Sequence, residues 1–209
     1  MFLSNYCLRV PTNETHLITC HDYTRHSAIH HSLFSMNLRE QLLKEHSRAN
    51  CDTIVNWIGD RQERFNELFQ LFLSDEYRVV QHAAWPLSYA VIQHPQLIKK
   101  HFTKLIGSLR KPGIHAAVKR NTMRLLQDID IPQKYHGRIM DACFTYIAAP
   151  AEPVAVKAFS LTVLEKLSSR YPEIIPEIKL LIEENYDRET PAFRVRAKKF
   201  LKKINNSHP

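Results

Sequence analysis

Apolar residues in this chain recur at helical spacing, and the pattern returns in a frame of about 38 residues, a length typical of stacked helix-pair repeats. Helix starts are expected at Leu38, Glu76, Ile114, Glu152 and Thr190. The triplets Val80-Gln81-His82, Val118-Lys119-Arg120, Val156-Lys157-Ala158 and Val195-Arg196-Ala197 mark the frame, the last set one position later than strict repetition would place it. A large apolar residue follows each triplet: Trp85, Met123, Leu161 and Phe200. Leu87, Leu125 and Val163 come two residues later in the three complete helices. Positions three to four and seven to eight apart share one helical face, so each run predicts a helix with an apolar stripe. Pro95, Pro132 and Pro172 announce a second helix after each first one, because proline suits the opening turn.

A helix pair of this length cannot bury its stripe alone, so successive pairs must stack. The predicted fold is all-α, an α-solenoid of about four and a half pairs. Reading backward, the frame absorbs Asn37 to Ile58 as a first helix and Asp60 to Leu73 as its partner, with Phe65, Leu68, Phe69 and Phe72 as the stripe. Reading forward, it ends on an unpaired helix from Pro191 to Ile204, with Thr190 as its expected cap. Phe193, Ala197, Phe200, Leu201 and Ile204 form one stripe there, and Arg194, Arg196, Lys198, Lys199, Lys202 and Lys203 lie off it. A terminal repeat needs such a polar outer face. The expected organisation is a flexible extension over 1–36, the solenoid over 37–205 and a short tail over 206–209.

On these residues the chain resembles the HEAT repeat family from Asn37 to Asn205, through the recurring triplet and through Pro86, which is expected to kink its helix as HEAT first helices often are. The resemblance implies an extended surface offered to another macromolecule. The stretch Asp75 to Pro95 further resembles small bacterial HEAT-like proteins sometimes catalogued as adenylosuccinate lyase. Lyases of that superfamily carry a catalytic loop of the type S-S-x-M-P, and this chain, with only four glycines, has no such loop.

Composition agrees with one globular domain: 44% of the 209 residues are hydrophobic, enough for a core, and no apolar run is long enough to cross a bilayer. Met1 to Cys20 mixes polar residues into every apolar stretch, so no secretory signal is read and the cytoplasm is the expected compartment. Cys7, Cys20, Cys51 and Cys143 show no disulfide spacing, and Cys51 and Cys143 fall on helical faces as small apolar residues. Before Asn37 stand five of the twelve histidines and a net charge of zero. Cys7, Cys20, His21, His26, His30 and His31 are metal-ligand types, but without paired zinc spacing the segment reads as a flexible tail, and no metal or cofactor is expected. Met36 directly precedes the first helix and is a candidate translation start.

The net charge is +8, and between Tyr77 and Gln127 there is no Asp or Glu. Arg78 and the eight candidate partner-binding residues fall in that block: Lys99, Lys100, Lys104, Arg110, Lys111, Lys119, Arg120 and Arg124. Stacked repeats align equivalent positions, so these side chains suit a basic band for an acidic partner. A solvated face that keeps the array soluble is the plainer reading. The helix from Pro172 to Asp187 is acidic, so the surface is polarised. Nucleic-acid surfaces interleave aromatics with basic residues. Here Phe102, Tyr89 and Trp85 are assigned to core stripes.

Catalytic patterns are missing: no H-E-x-x-H, no G-x-S-x-G, no phosphate-cradling glycine loop. Alkylpurine DNA glycosylases share HEAT-like solenoids, with a Trp and a nearby carboxylate in the cleft. Here Trp57 is followed one turn on by Arg61 and Trp85 by Tyr89. Asp128 and Asp130 read as caps or turn formers rather than a metal site, and His82, His101, His115 and His136 as packed or exposed residues. The expectation is a non-enzymatic scaffold that binds a protein through its basic second-helix face, centred on Lys99, Lys100 and Lys104. The alternative is a DNA- or RNA-binding solenoid, with a glycosylase-like activity as its extreme form.

Overall fold

The computed structural model describes residues 36–207, and the expectations for the N-terminal segment, its metal-ligand types and its flexibility lie outside them. Among the described residues there are ten α-helices and no strand. The first-helix positions are filled by α1 (Leu38–Lys44) with α2 (Arg48–Ile58), then α4 (Tyr77–Gln93), α6 (Ala116–Asp128), α8 (Val154–Ser168) and α10 (Pro191–Ser207). The second helices are α3 (Gln62–Phe72), α5 (Phe102–Ser108), α7 (His136–Ala148) and α9 (Ile175–Asn185). First helices begin at Leu38, Tyr77, Ala116, Val154 and Pro191, each within two positions of the start the frame predicts. The all-α solenoid of four and a half pairs is therefore the observed fold.

Each first helix lies along the next, from α4 through α6 and α8 to α10. Two second helices pack closely on the first helix of the following repeat, α3 on α4 and α7 on α8. The stripe of α3 explains this, since Phe65, Leu68, Phe69 and Phe72 are all fully buried. Each such side chain contributes about 2 kcal/mol on burial. Packing rather than intrinsic helix propensity thus holds the short α3.

The predicted first helix from Asn37 to Ile58 is instead two helices, broken at Glu45-His46-Ser47. Ser47 caps α2 by accepting the Asn50 N–H at 3.1 Å. Buried Asn50 closes the break from the other side: its amide donates to the carbonyls of Gln41 (2.8 Å) and Glu45 (2.7 Å). Its Oδ1 accepts from Gln41 Nε2 at 2.6 Å. The carbonyl of Leu42, freed where α1 ends, meets His82 Nδ1 at 2.6 Å, which makes Nδ1 the protonated nitrogen.

Prolines stand where second helices were expected, but those helices open with 3-10 turns at Pro95–His101, Gln133–Tyr135 and Pro172–Ile174. The helix α4 continues through Pro86 to Gln93. The carbonyl of Thr190 accepts the first bond of α10 from Arg194, but the Thr190 hydroxyl has no partner, so the side-chain cap expected there is not made. Asp128 ends α6 and Asp130 lies in the loop that follows, and the C-terminal carbonyls around α6 at Leu126, Gln127 and Ile129 are held by Lys166 Nζ. Burial lowers the Lys166 pKa, and Asp130 and Asp128 oppose that shift as counter-charges.

Ion pairs tie successive repeats together. Lys119 on α6 reaches Glu152, two residues before α8, at 2.7 Å. Lys157 on α8 reaches Glu189, two residues before α10, at 2.5 Å. Arg39 on α1 reaches Glu76, just before α4, at 2.6 Å. At the junction of the second and third repeats the corresponding residues are Gln81 and Ile114, which cannot form the rung.

Candidate functional site

The eight candidate residues divide between two layers of the solenoid. Lys99 and Lys100 lie on the 3-10 opening of the second repeat's second helix, Lys104 on α5, and Arg110 and Lys111 in the loop that follows. Lys119, Arg120 and Arg124 lie on α6, a first helix, so a single band of all eight is not what the fold builds. Lys119 is engaged internally, by Glu152 and over the Tyr146 ring at 5.0 Å. Arg110 is paired with Asp141 on α7 at 2.7 Å. Lys99, Lys100 and Lys111 are exposed and form no ion pair among the described residues.

The second-helix face holds two basic residues that the repeat frame did not reveal. The residues preceding α3, α5, α7 and α9 are Arg61, His101, Tyr135 and Ile174. One position earlier stand Asp60, Lys100, Lys134 and Glu173, and three positions later Arg64, Lys104, Arg138 and Glu177. Lys100 and Lys104 are thus repeated by Lys134 and Arg138, all four exposed, and the sign reverses in the fourth repeat. The helix α6 is shorter than α4, 13 residues against 17, so this match falls short of the full repeat interval.

Side-chain links set α3, α5 and α7 beside one another and hold this pattern in register. His101 Nε2 meets Asn66 Oδ1 at 2.7 Å, and Lys104 Nζ donates to Gln70 Oε1 at 2.9 Å. Thr103 and Tyr135 share a hydroxyl hydrogen bond of 2.7 Å, and Tyr135 stacks on Phe102 at 5.4 Å. His101 lies against Phe69 with ring centroids 4.2 Å apart. Burial, then the charges of Lys104 and Lys100, lower its pKa and keep it neutral beneath the lysines.

Lys104 and Lys111 also line a cleft of about 270 Å³ between the loop before α4 and the loop before α6. Tyr77 and His115 meet there edge to face at 4.3 Å. His115 Nδ1 accepts the Ala117 N–H at 3.0 Å as the cap of α6, which fixes its proton on Nε2.

Phe102, on α5, is core as expected, but on the first-helix layer Trp85 and Tyr89 are only half-buried, which corrects their assignment to core stripes. Arg48 stacks over Tyr89 at 4.5 Å and donates to its hydroxyl at 2.9 Å. His46 lies 4.6 Å from His82 and 5.5 Å from Trp85 between ring centroids. Burial, then the charges of His82 and Arg120, lower the His46 pKa. The signal missed was the i, i+4 pair Trp85-Tyr89 opposite the helix break, which only the break brings within reach of His46 and Arg48.

The other singled-out groups have structural roles. His136 donates from Nε2 to the Ile131 carbonyl at 2.7 Å and accepts the Tyr171 hydroxyl at 3.0 Å. Cys51 and Cys143 are buried thiols whose pKa values burial pushes up to about 11 and about 12. Among the described residues no group of three or more His, Cys, Asp or Glu side chains is placed to hold a metal ion. Among them, too, no helix is long and apolar enough to cross a membrane.

The stacked pairs and their inter-repeat rungs define a helical-repeat protein. A family model, the HEAT repeat domain, matches residues 38–204, and the chain belongs to that family. No curated protein and no solved structure matched it. The finer likeness of Asp75 to Pro95 to proteins catalogued as adenylosuccinate lyase gains no support, because the match rests on the repeat alone. HEAT repeats commonly serve as protein-interaction scaffolds, and the family is typically non-catalytic.

Proposed function

We propose that this protein is a non-enzymatic scaffold that binds an acidic protein segment through the exposed basic face of its second and third repeats. The observation that carries the reading is the recurrence of Lys100 and Lys104 as Lys134 and Arg138 on neighbouring second helices. Exposed like charges on adjacent helices repel one another in the free protein, and an acidic partner relieves that repulsion. Lys99 and Lys111 extend the face, while Arg110 contributes less because Asp141 already answers it. Reduced, buried Cys51 and Cys143 fit a cytoplasmic setting.

Charge reversal of Lys99, Lys100 and Lys104 to Glu tests this, since none of the three is buried. Binding to a polyglutamate peptide is lost while circular dichroism stays unchanged; retained binding counts against the reading.

A second reading, nucleic-acid binding, is favoured by one observation: half-buried Trp85 and Tyr89 with Arg48 beside them form a stacking surface edged by cations. Asp52, the carboxylate tied into this cluster, is already held by Arg48 at 2.9 Å, so the reading is binding without base excision. It predicts affinity for duplex DNA that falls with salt at a log-log slope of about −0.9 per neutralised phosphate.

A further inference from the structure

The junction between the second and third repeats departs from the others: Gln81 and Ile114 replace the lysine and glutamate that form a rung at each of the next two junctions. The cleft of about 270 Å³ lies at this junction, with Tyr77, Val80, Ile114 and Val118 on its walls and Lys104 and Lys111 at its edge. We infer that this cleft receives one apolar side chain of an acidic peptide, whose neighbouring carboxylates pair with Lys104 and Lys111. The inference rests on the basic-face reading above and names the anchor that the face takes.

Three features support a peptide anchor. The cleft, of about 270 Å³, has room for one side chain between the apolar groups of Val80, Ile114 and Val118. Asp75 also lines the cleft, where its carboxylate is placed to accept a backbone N–H of a peptide guest. Exposed Tyr77, set edge to face on His115, offers a ring to an aromatic guest. The missing rung matters because at the next two junctions the corresponding glutamate is paired with a lysine, whereas here Ile114 adds an apolar side chain to the cleft wall.

The test uses two fluorescein-labelled probes on the full-length protein: a hexaglutamate peptide and the same peptide with one central phenylalanine, read by anisotropy. The expected result is about tenfold tighter binding of the phenylalanine peptide. In Gln81→Lys/Ile114→Glu, which installs the rung, and in Tyr77→Ala, that advantage falls to about twofold or less while hexaglutamate binding persists. Tyr77 is exposed, so its variant keeps the test valid if the double variant does not fold. Equal binding of both peptides by the wild type overturns the cleft inference and leaves the basic face standing. Binding of neither peptide overturns both. An oligothymidylate that binds more tightly than both peptides, and loses that in Tyr77→Ala, overturns it in favour of a nucleotide site.

Discussion

Lys157 and Glu189 meet at 2.5 Å with both side chains almost wholly buried, one on α8 and the other in the loop that leads into α10. Two charges removed from water at this depth are tolerable only together. Lys157→Met alone is expected to destabilise the protein by about 3–5 kcal/mol, because it strands a buried carboxylate. The double variant Lys157→Met/Glu189→Leu is expected to recover most of that loss. Urea unfolding of the two variants checks both.

The break in the first helix is held by the Asn50 amide together with the Ser47 hydroxyl. Asn50→Ala removes three hydrogen bonds and leaves the carbonyls of Gln41 and Glu45 without their partner. The expected cost is about 1–3 kcal/mol, with faster amide exchange in α1 than in α4. Exchange that stays uniform across the two helices would contradict this account of the break.

These two features show what the chain declares and what it hides. The repeated valine positions expose the frame because three successive first helices bury the same face, with Val80, Val118 and Val156 all core, whereas Val195 of the last triplet is exposed. The break at Glu45 to Ser47 is hidden, because it depends on the Ser47 hydroxyl and the Asn50 amide, and residues of both types also occur inside helices. At the candidate site, Lys99, Lys100 and Lys104 are legible as a cluster. Lys134 and Arg138 are not, since α6 is shorter than α4 and shifts the second helix that follows it against the frame. The rungs are illegible for a related reason: their partners lie in loops, where no periodicity points to them.

Stability is expected to fall as pH drops below about 6.5. Burial comes first among the causes that hold the pKa values of His46, His101 and His115 below their ordinary value, 6.5. The unfolded chain therefore takes up protons at a higher pH than the folded one. The contribution is fully present above 6.5 and is lost as pH falls from there toward the lowered values. The urea midpoint should decrease between neutral and mildly acidic pH, and His101→Gln should flatten part of that slope.

The buried thiols are expected to resist alkylation. With pKa values pushed up to about 11 for Cys51 and about 12 for Cys143, neither forms thiolate at neutral pH in the folded protein. Peptide mapping after iodoacetamide should find both unmodified under native conditions and both modified in denaturant. Native labelling of Cys143 would show that the core opens more readily than its packing implies.

The proposed binding face is created by the recurrence of basic residues on neighbouring second helices. Titration of labelled hexaglutamate into wild type and into Lys100→Glu/Lys104→Glu/Lys134→Glu/Arg138→Glu, with duplex DNA in parallel, tests it most directly. The wild type is expected to bind the peptide and the variant is not, with the same helicity in both. Peptide binding that survives all four reversals would contradict it.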